Sequence, residues 1–302
     1  MKLRIALAVL AVVVTSVVFA DFLAPYDPTE QNRTIPLAYP AVPPVSHLRW
    51  FVAGAPYRLL GLFPCRVHLF GVDEPARIFL LGSDEFGRDQ FSRLLHGGRV
   101  SLLAGLLAAA LALCLGLLAG VAAGFYGGLV DDVVMRASEL FLSLPWLYLL
   151  VGLRAFLPLS LRPASAFFLL IAVIGVVGWT RPGRLVRGIV VSAKEREYVY
   201  AARGFGASSL WLLRRHILPE TWSALLVQAS LLIPQFILAE VTMSFFGLGV
   251  GEPATSWGSL LAPLRRLDVV LTTWWMAIPA FLLLPIFLMF HLIADALQER
   301  GR

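Results

Sequence analysis

Charge is scarce in these 302 residues: Asp, Glu, Lys and Arg together make up 15%, against about a quarter in an ordinary soluble domain. With 59% of the chain apolar and a mean hydropathy of +0.80, that scarcity excludes a single soluble domain. Only two cysteines occur, Cys65 in a polar stretch and Cys114 in an apolar one, with no CxxC pair. With no zinc spacing and no His-rich tract either, neither a disulfide nor a structural metal is expected. Lysine is equally rare: Lys2 and Lys194 are the two, and neither follows a glycine. A phosphate-cradling loop of the Gly-Lys type is therefore missing, so the chain does not hydrolyse ATP by that route. HExxH, GxSxG and paired intramembrane acids are missing as well, which leaves no catalytic constellation for a membrane-embedded enzyme.

What is present is a series of long apolar runs. A membrane-crossing helix needs roughly 20 apolar residues. Ile5–Ala20 follows the basic start Met1, Lys2 and Arg4 and reads as an uncleaved anchor, a cleaved signal being the alternative. Val100–Val130 carries no charge, and its Gly116, Gly120 and Gly124 recur every four residues, a small-residue face for close helix packing. Further spans are expected near Val133–Leu157, where Arg136 and Glu139 pair at the start, and over Pro163–Thr180 and Thr221–Leu248. A last one runs from Val269 to Leu292, with Trp274 and Trp275 as interfacial anchors. Between the first and second spans, residues 25–93 hold nine of the 19 prolines, predicting an exposed, loop-rich segment with a short strand or two.

The charge is unevenly placed. From Arg181 to Arg215 there are eight basic and two acidic residues, the entire +6 excess, leaving seventeen of each sign elsewhere. Basic loops stay cytoplasmic. Six spans with that loop inside put both termini in the cytoplasm and residues 25–93 outside. Within the loop, the periodicity predicts a short helix ending at Arg203, a turn at Gly204 and Gly206, a second helix bearing Leu210, Leu213 and Ile217, and a stop at Pro219. The bland reading of such a loop is that it merely fixes orientation.

Its residues are more specific than that. Ala201, Ala202, Gly206, Leu218 and Pro219 match the EAA motif of ABC importer permeases, in which two alanines, a glycine four residues later and a Leu-Pro stand at fixed spacing. Tyr200 stands where the motif has Glu, and His216 where it usually has Ile. Phe22-Leu23-Ala24-Pro25-Tyr26-Asp27-Pro28, Gly82-Ser83-Asp84 through Arg93, Gly98 to Leu102, Leu238-Ala239-Glu240, Ser244 to Gly249 and Ser256-Trp257-Gly258 follow in order. Over nearly its whole length the chain thus resembles the second permease subunit of dipeptide and oligopeptide importers.

That resemblance implies an all-α integral membrane protein of the bacterial cytoplasmic (inner) membrane with six transmembrane helices. Residues 94–302 would form a type I ABC importer permease core (MetI-like), preceded by an anchor at 1–24 and the extracytoplasmic segment 25–93. The loop 181–219, with Tyr200, Ala201, Ala202, Arg203, Gly206, Leu218 and Pro219, would couple to ATPase subunits. The implied partners are a homologous permease, two ATP-binding subunits that use ATP and Mg, an external substrate-binding protein and the lipid bilayer. No cofactor of its own and no nucleic acid are implied, and the cargo stays open between peptides, nickel chelates and other small solutes.

Two further groups of polar residues stand out. Glu240, about 20 residues into the fifth span, is either a pathway or gate residue or a group bonded near the outer interface. Arg88, Asp89 and Arg93 are candidates for the external face near the binding protein, the alternative being a solvated amphipathic helix whose salt bridges count for little. An ion-coupled secondary transporter would place several ionisable groups or broken helices at mid-membrane. Glu240 alone answers that description, and no inverted repeat is visible.

Overall fold

The structure is a computed structural model that describes residues 2–41, 48–59, 61–72, 76–143, 145–156 and 162–300. Its first helix, α1 (Lys2–Val18), runs almost directly into α2 (Ala20–Leu23), the backbone ladder passing through Phe19. Two antiparallel strands follow, β1 (Arg49–Leu59) and β2 (Phe63–Gly71), paired from Arg49 opposite Gly71 to Leu59 opposite Phe63 with an irregularity between Ala53 and Tyr57. The Pro-rich segment therefore holds a hairpin longer than the short strands its sequence predicts. Residues 42–47 and 73–75, which carry Pro43, Pro44 and Pro75, lie outside the described residues.

The remaining elements are helical: α3 (Gln90–Tyr126), α4 (Gly128–Ser143), α5 (Trp146–Ala155), α6 (Pro163–Gly178), α7 (Thr180–Lys194), α8 (Glu197–Gly204), α9 (Ser209–Leu212), α10 (Leu218–Phe245), α11 (Trp257–Leu261), α12 (Leu267–Thr272) and α13 (Ile278–Arg300). Three stretches, Gln90–Tyr126, Ser209–Phe245 and Trp274–Glu299, are long and apolar enough to cross a membrane. Two bent pairs, α4 with α5 at 93° and α6 with α7 at 42°, raise the number to as many as five. At 17 residues α1 is about 26 Å long, just short of the roughly 30 Å of hydrocarbon.

Three of the expected spans change. Helix α3 starts ten residues before Val100, because Asp89 caps it: the Asp89 side chain accepts from Ser92 N at 2.8 Å. The third span is two helices at a sharp angle, and its expected end at Leu157 lies outside the described residues. The sixth begins at Trp274 and not Val269, one tight helical turn leading into α13 at Ile278. Of its two tryptophans only Trp274 is exposed; Trp275 is buried, donates to Ser83 O at 3.1 Å and packs on Tyr39, so it pins the outer segment and is no interfacial anchor.

Helix α3 is the axis of the molecule. A Cβ on Gly116, Gly120 or Gly124 would stand 2.5–2.9 Å from the nearest atoms of α7, among them Gly183 N, Gly183 O and Val190 Cβ. The four-residue glycine repeat is therefore a seam that lets α7 lie against the α3 backbone. Nearer its start, Gly105 sits against Ile233 and Ile237 of α10, and Gly97 and Gly98 against Ser256 and Trp257. Leu170, Ile174, Phe236 and Met243 centre one apolar core, and Trp257, Ile237 and Ile286 another.

Candidate functional site

The polar residues gather at the two ends and at one buried point of α3. At the end where α3 stops, Lys194 Nζ donates to Gly124 O at 3.1 Å, supplying a cation to the helix C-terminus. The paired Arg187 and Asp131 side chains tie α7 to α4. Beyond Lys194 the chain makes the predicted elbow.

Helix α8 ends in a Schellman turn. Ala207 N donates to Ala202 O at 3.0 Å and Gly206 N to Arg203 O at 3.0 Å, with Gly206 at φ +86°. This explains the spacing of the Ala-Ala and Gly physically: Ala202 supplies the carbonyl that receives the long return bond, and four residues later only glycine takes the left-handed conformation without strain. Ser208 then caps α9 through Trp211 N.

Pro219 does not stop the second helix. Leu213–Ile217 form one π-helical turn, after which the helix runs on through Pro219 into α10. A proline ring collides with the carbonyl four residues back, and a wider i→i+5 turn at that point removes the collision.

The elbow is anchored on one face and bare on the other. Val199, Leu212 and Ile217 are buried, and Ile217 joins Val186, Val190 and Phe125 in a small core. Arg196 pairs with Glu220 at 3.0 Å, and Tyr198 Oη donates to the same carboxylate at 2.5 Å, which holds the Tyr198 hydroxyl above its ordinary titration range. His216 lies between the rings of Tyr198 and Trp211. The bare face carries Tyr200, Leu210 and Trp211, with Phe205 at its tip, 94% exposed. Ala201 and Arg203 are exposed beside them, Ala202 and Leu218 are half-buried and Pro219 is exposed. Of these, Phe205 and Trp211 did not stand out in the sequence; a large aromatic ring following the helix-ending glycine was the available signal.

Glu240 is completely buried where α3, α10 and α11 meet. It accepts from Ser101 Oγ at 2.6 Å and from Ser244 Oγ at 2.6 Å, while Ser101 Oγ in turn accepts from Trp257 N at 3.1 Å. Such a bonded carboxylate is a joint between helices.

At the opposite end, Arg88, Asp89 and Arg93 are 7%, 3% and 4% exposed, which overturns the solvated-helix reading. Their partners explain the burial. Asp84 accepts from Arg88 Nε at 2.7 Å and also binds Arg93, and Glu252, 159 residues beyond Arg93, closes the cluster from the loop before α11. Asp89 bonds Ser92 N and Oγ through Oδ2, but Oδ1 has no partner among the described residues. Burial pushes its carboxyl up to about 6, against the opposing pull of the Ser92 bonds.

Comparison with known proteins agrees with this architecture. Residues 115–302 match the model of the family described as "Binding-protein-dependent transport system inner membrane component". The chain is 31% identical over 282 residues to the dipeptide transport system permease protein of Haemophilus influenzae, covering 93% of this chain and 83% of that one. It is 34% identical over 288 residues to the di/tripeptide transport system permease protein of Pseudomonas aeruginosa, covering 95% and 83%, and 40% identical over 218 residues to the oligopeptide transport system permease protein of Escherichia coli, covering 72% and 70%. Among solved structures, a chain of the methionine ABC transporter MetNI in inward-facing conformations shares the fold, with a TM-score of 0.50 at 17% identity, over 69% of this chain and 96% of that one.

Proposed function

The chain belongs to the binding-protein-dependent transport system inner membrane component family, as a dipeptide/oligopeptide-type ABC permease, and from that membership we propose how it works. It is a multi-pass subunit of the bacterial inner membrane that forms half of a peptide path, with a second, homologous permease as the other half. Two separate ATP-binding subunits bind ATP and Mg, an external binding protein delivers the cargo, and this chain holds no cofactor. Helices α1 and α2 form a sixth span, residues 1–24, ahead of the segment 25–93 and the core 94–302. Both termini and the basic elbow face the cytoplasm, the placement favoured by the charge distribution.

The observation that carries this reading is the elbow itself. Tyr200, Phe205, Leu210 and Trp211 form an exposed apolar knob on a base fixed by the Arg196–Glu220 pair and the buried Val199. A contiguous exposed apolar patch on a rigid base is suited to a protein partner. Ala201, Ala202 and Arg203 border it, Gly206 sets its turn, and Leu218 and Pro219 lead from it into α10. ATP-driven closure of two motor subunits pushes the knob, α7 carries the displacement to α3 along the glycine seam, and the permease halves rock between inward- and outward-open states. Glu240 holds α3, α10 and α11 together during that movement, a structural part of the gate.

Reconstitution in proteoliposomes with the partner subunits tests this. ATP-dependent uptake of a tripeptide is expected, and it is lost when residues 198–210 are deleted. Uptake that persists with inactivated ATPases and follows a proton or sodium gradient would overturn the reading.

A further inference from the structure

A cavity of about 540 Å³ opens at the start of α3, its charged wall including Arg88, Arg93, Glu252 and Arg265, with Gln90 and the acidic Asp84 and Glu85 beside them. Small-ligand sites run about 300–1,000 Å³. Arg88 donates through Nη1 to both Glu252 oxygens at 3.0 Å, and Arg93 reaches Glu252 Oε1 through Nη2 at 3.2 Å. The two acids that serve these arginines are not equivalent. Asp84 is 6% exposed and fixed by the backbone N–H groups of Phe86 and Arg88, both at 2.9 Å, whereas the Glu252 side chain is 59% exposed. Glu252 is the displaceable partner of two buried guanidinium groups, and what displaces it must bring negative charge, a carboxylate being one such group, because Asp84 alone leaves one acid against two buried cations.

A second feature of the same wall points to a ligand. Gln90 is 1% exposed, and neither its amide nitrogen nor its amide oxygen finds a partner among the described residues; Arg93 Nε is likewise unpaired. A buried amide with both its donor and its acceptor free is costly unless something completes it. Its complement is another amide.

We propose that this cavity binds the C-terminal end of a peptide. The terminal carboxylate takes the place of Glu252 on Arg88 and Arg93, and the Gln90 side chain pairs with the last peptide group, donating to its oxygen and accepting from its N–H. This assignment rests on the reading of the chain as a peptide permease and adds a recognition site within it.

Titration calorimetry on the permease–ATPase complex in lipid nanodiscs, without the binding protein, tests the site with trialanine and its C-terminal carboxamide. Trialanine binds, and the carboxamide binds at least about tenfold more weakly, as loss of a charge-assisted pair requires. Gln90→Leu weakens trialanine, and Glu252→Gln, on an exposed side chain, tightens it by removing the competing carboxylate. Absence of binding, equal binding of acid and carboxamide, or no response to Glu252→Gln would overturn the proposal. ATP-driven trialanine uptake that ignores both substitutions refutes the site alone, and binding retained without any ATP-driven uptake upholds the site and refutes the permease reading.

Discussion

Substituting Gly120 by alanine tests whether the glycine repeat is the seam on which α3 and α7 meet. The added Cβ would stand 2.5 Å from Gly183 O, 2.8 Å from Val186 Cβ and 3.0 Å from Arg187 N. Carbon–oxygen contacts relax only at roughly 3.3 Å, so the helices must part by the better part of an ångström. A gap of that size forfeits about a quarter to a half of each affected dispersion contact. Backbone atoms form much of the opposing surface and cannot rotate away, which places the cost in the usual overpacking range of about 1–3 kcal/mol. Alanine also gains about 1 kcal/mol of helix propensity over glycine, so a control is needed. Gly188, on α7 itself, has nothing within 4 Å of its added Cβ. Gly188→Ala collects the propensity gain without the collision, and the difference between the two variants isolates the clash. In detergent thermal melts Gly188→Ala should equal or exceed the parent chain, with Gly120→Ala about 1–3 kcal/mol below Gly188→Ala. Two variants that move together would refute the seam.

Other consequences follow from the same contacts. The Asp89 carboxyl, displaced by burial from 3.8 to about 6, binds its proton more tightly folded than unfolded, so its own contribution to stability is greatest below pH 4 and is lost as pH rises through 6, by at most about 3 kcal/mol. Asp89→Asn keeps a cap for α3 and should flatten that decline in melts compared between pH 4 and 7; an unchanged slope would mean the carboxyl titrates normally. Ser101→Ala removes a donor to Glu240 and leaves Trp257 N–H without its acceptor, a loss of about 2–3 kcal/mol, whereas Ser244→Ala removes one donor only and should cost less by the same measurement. Phe205→Ala, at a side chain 94% exposed, should leave the melting curve within about 0.5 kcal/mol of the parent while weakening co-purification of the ATP-binding subunits.

The features legible in the sequence were those set by local spacing. Gly116, Gly120 and Gly124 announce a close helix contact because four residues bring them to one face, and the turn between the elbow helices is written in Gly206. Pro219 misled because its effect depends on the turn before it: the π-helical Leu213–Ile217 lets the helix continue. Arg88 and Arg93 share Asp84 close by in the chain, but their second partner, Glu252, lies far along it, and no local pattern reports that pairing. Glu240 was placed in the right helix, yet whether it met water, a pathway or hydroxyl groups turned on Ser101, in a different helix.

The central claim is that the aromatic knob after α8 is gripped by an ATP-driven motor. A photoreactive phenylalanine at position 205, in an importer assembled with all its subunits in membrane vesicles, tests it most directly. Illumination should join this chain to an ATP-binding subunit, in a yield that changes when ATP is trapped. Adducts confined to lipid or to the external binding protein would contradict it.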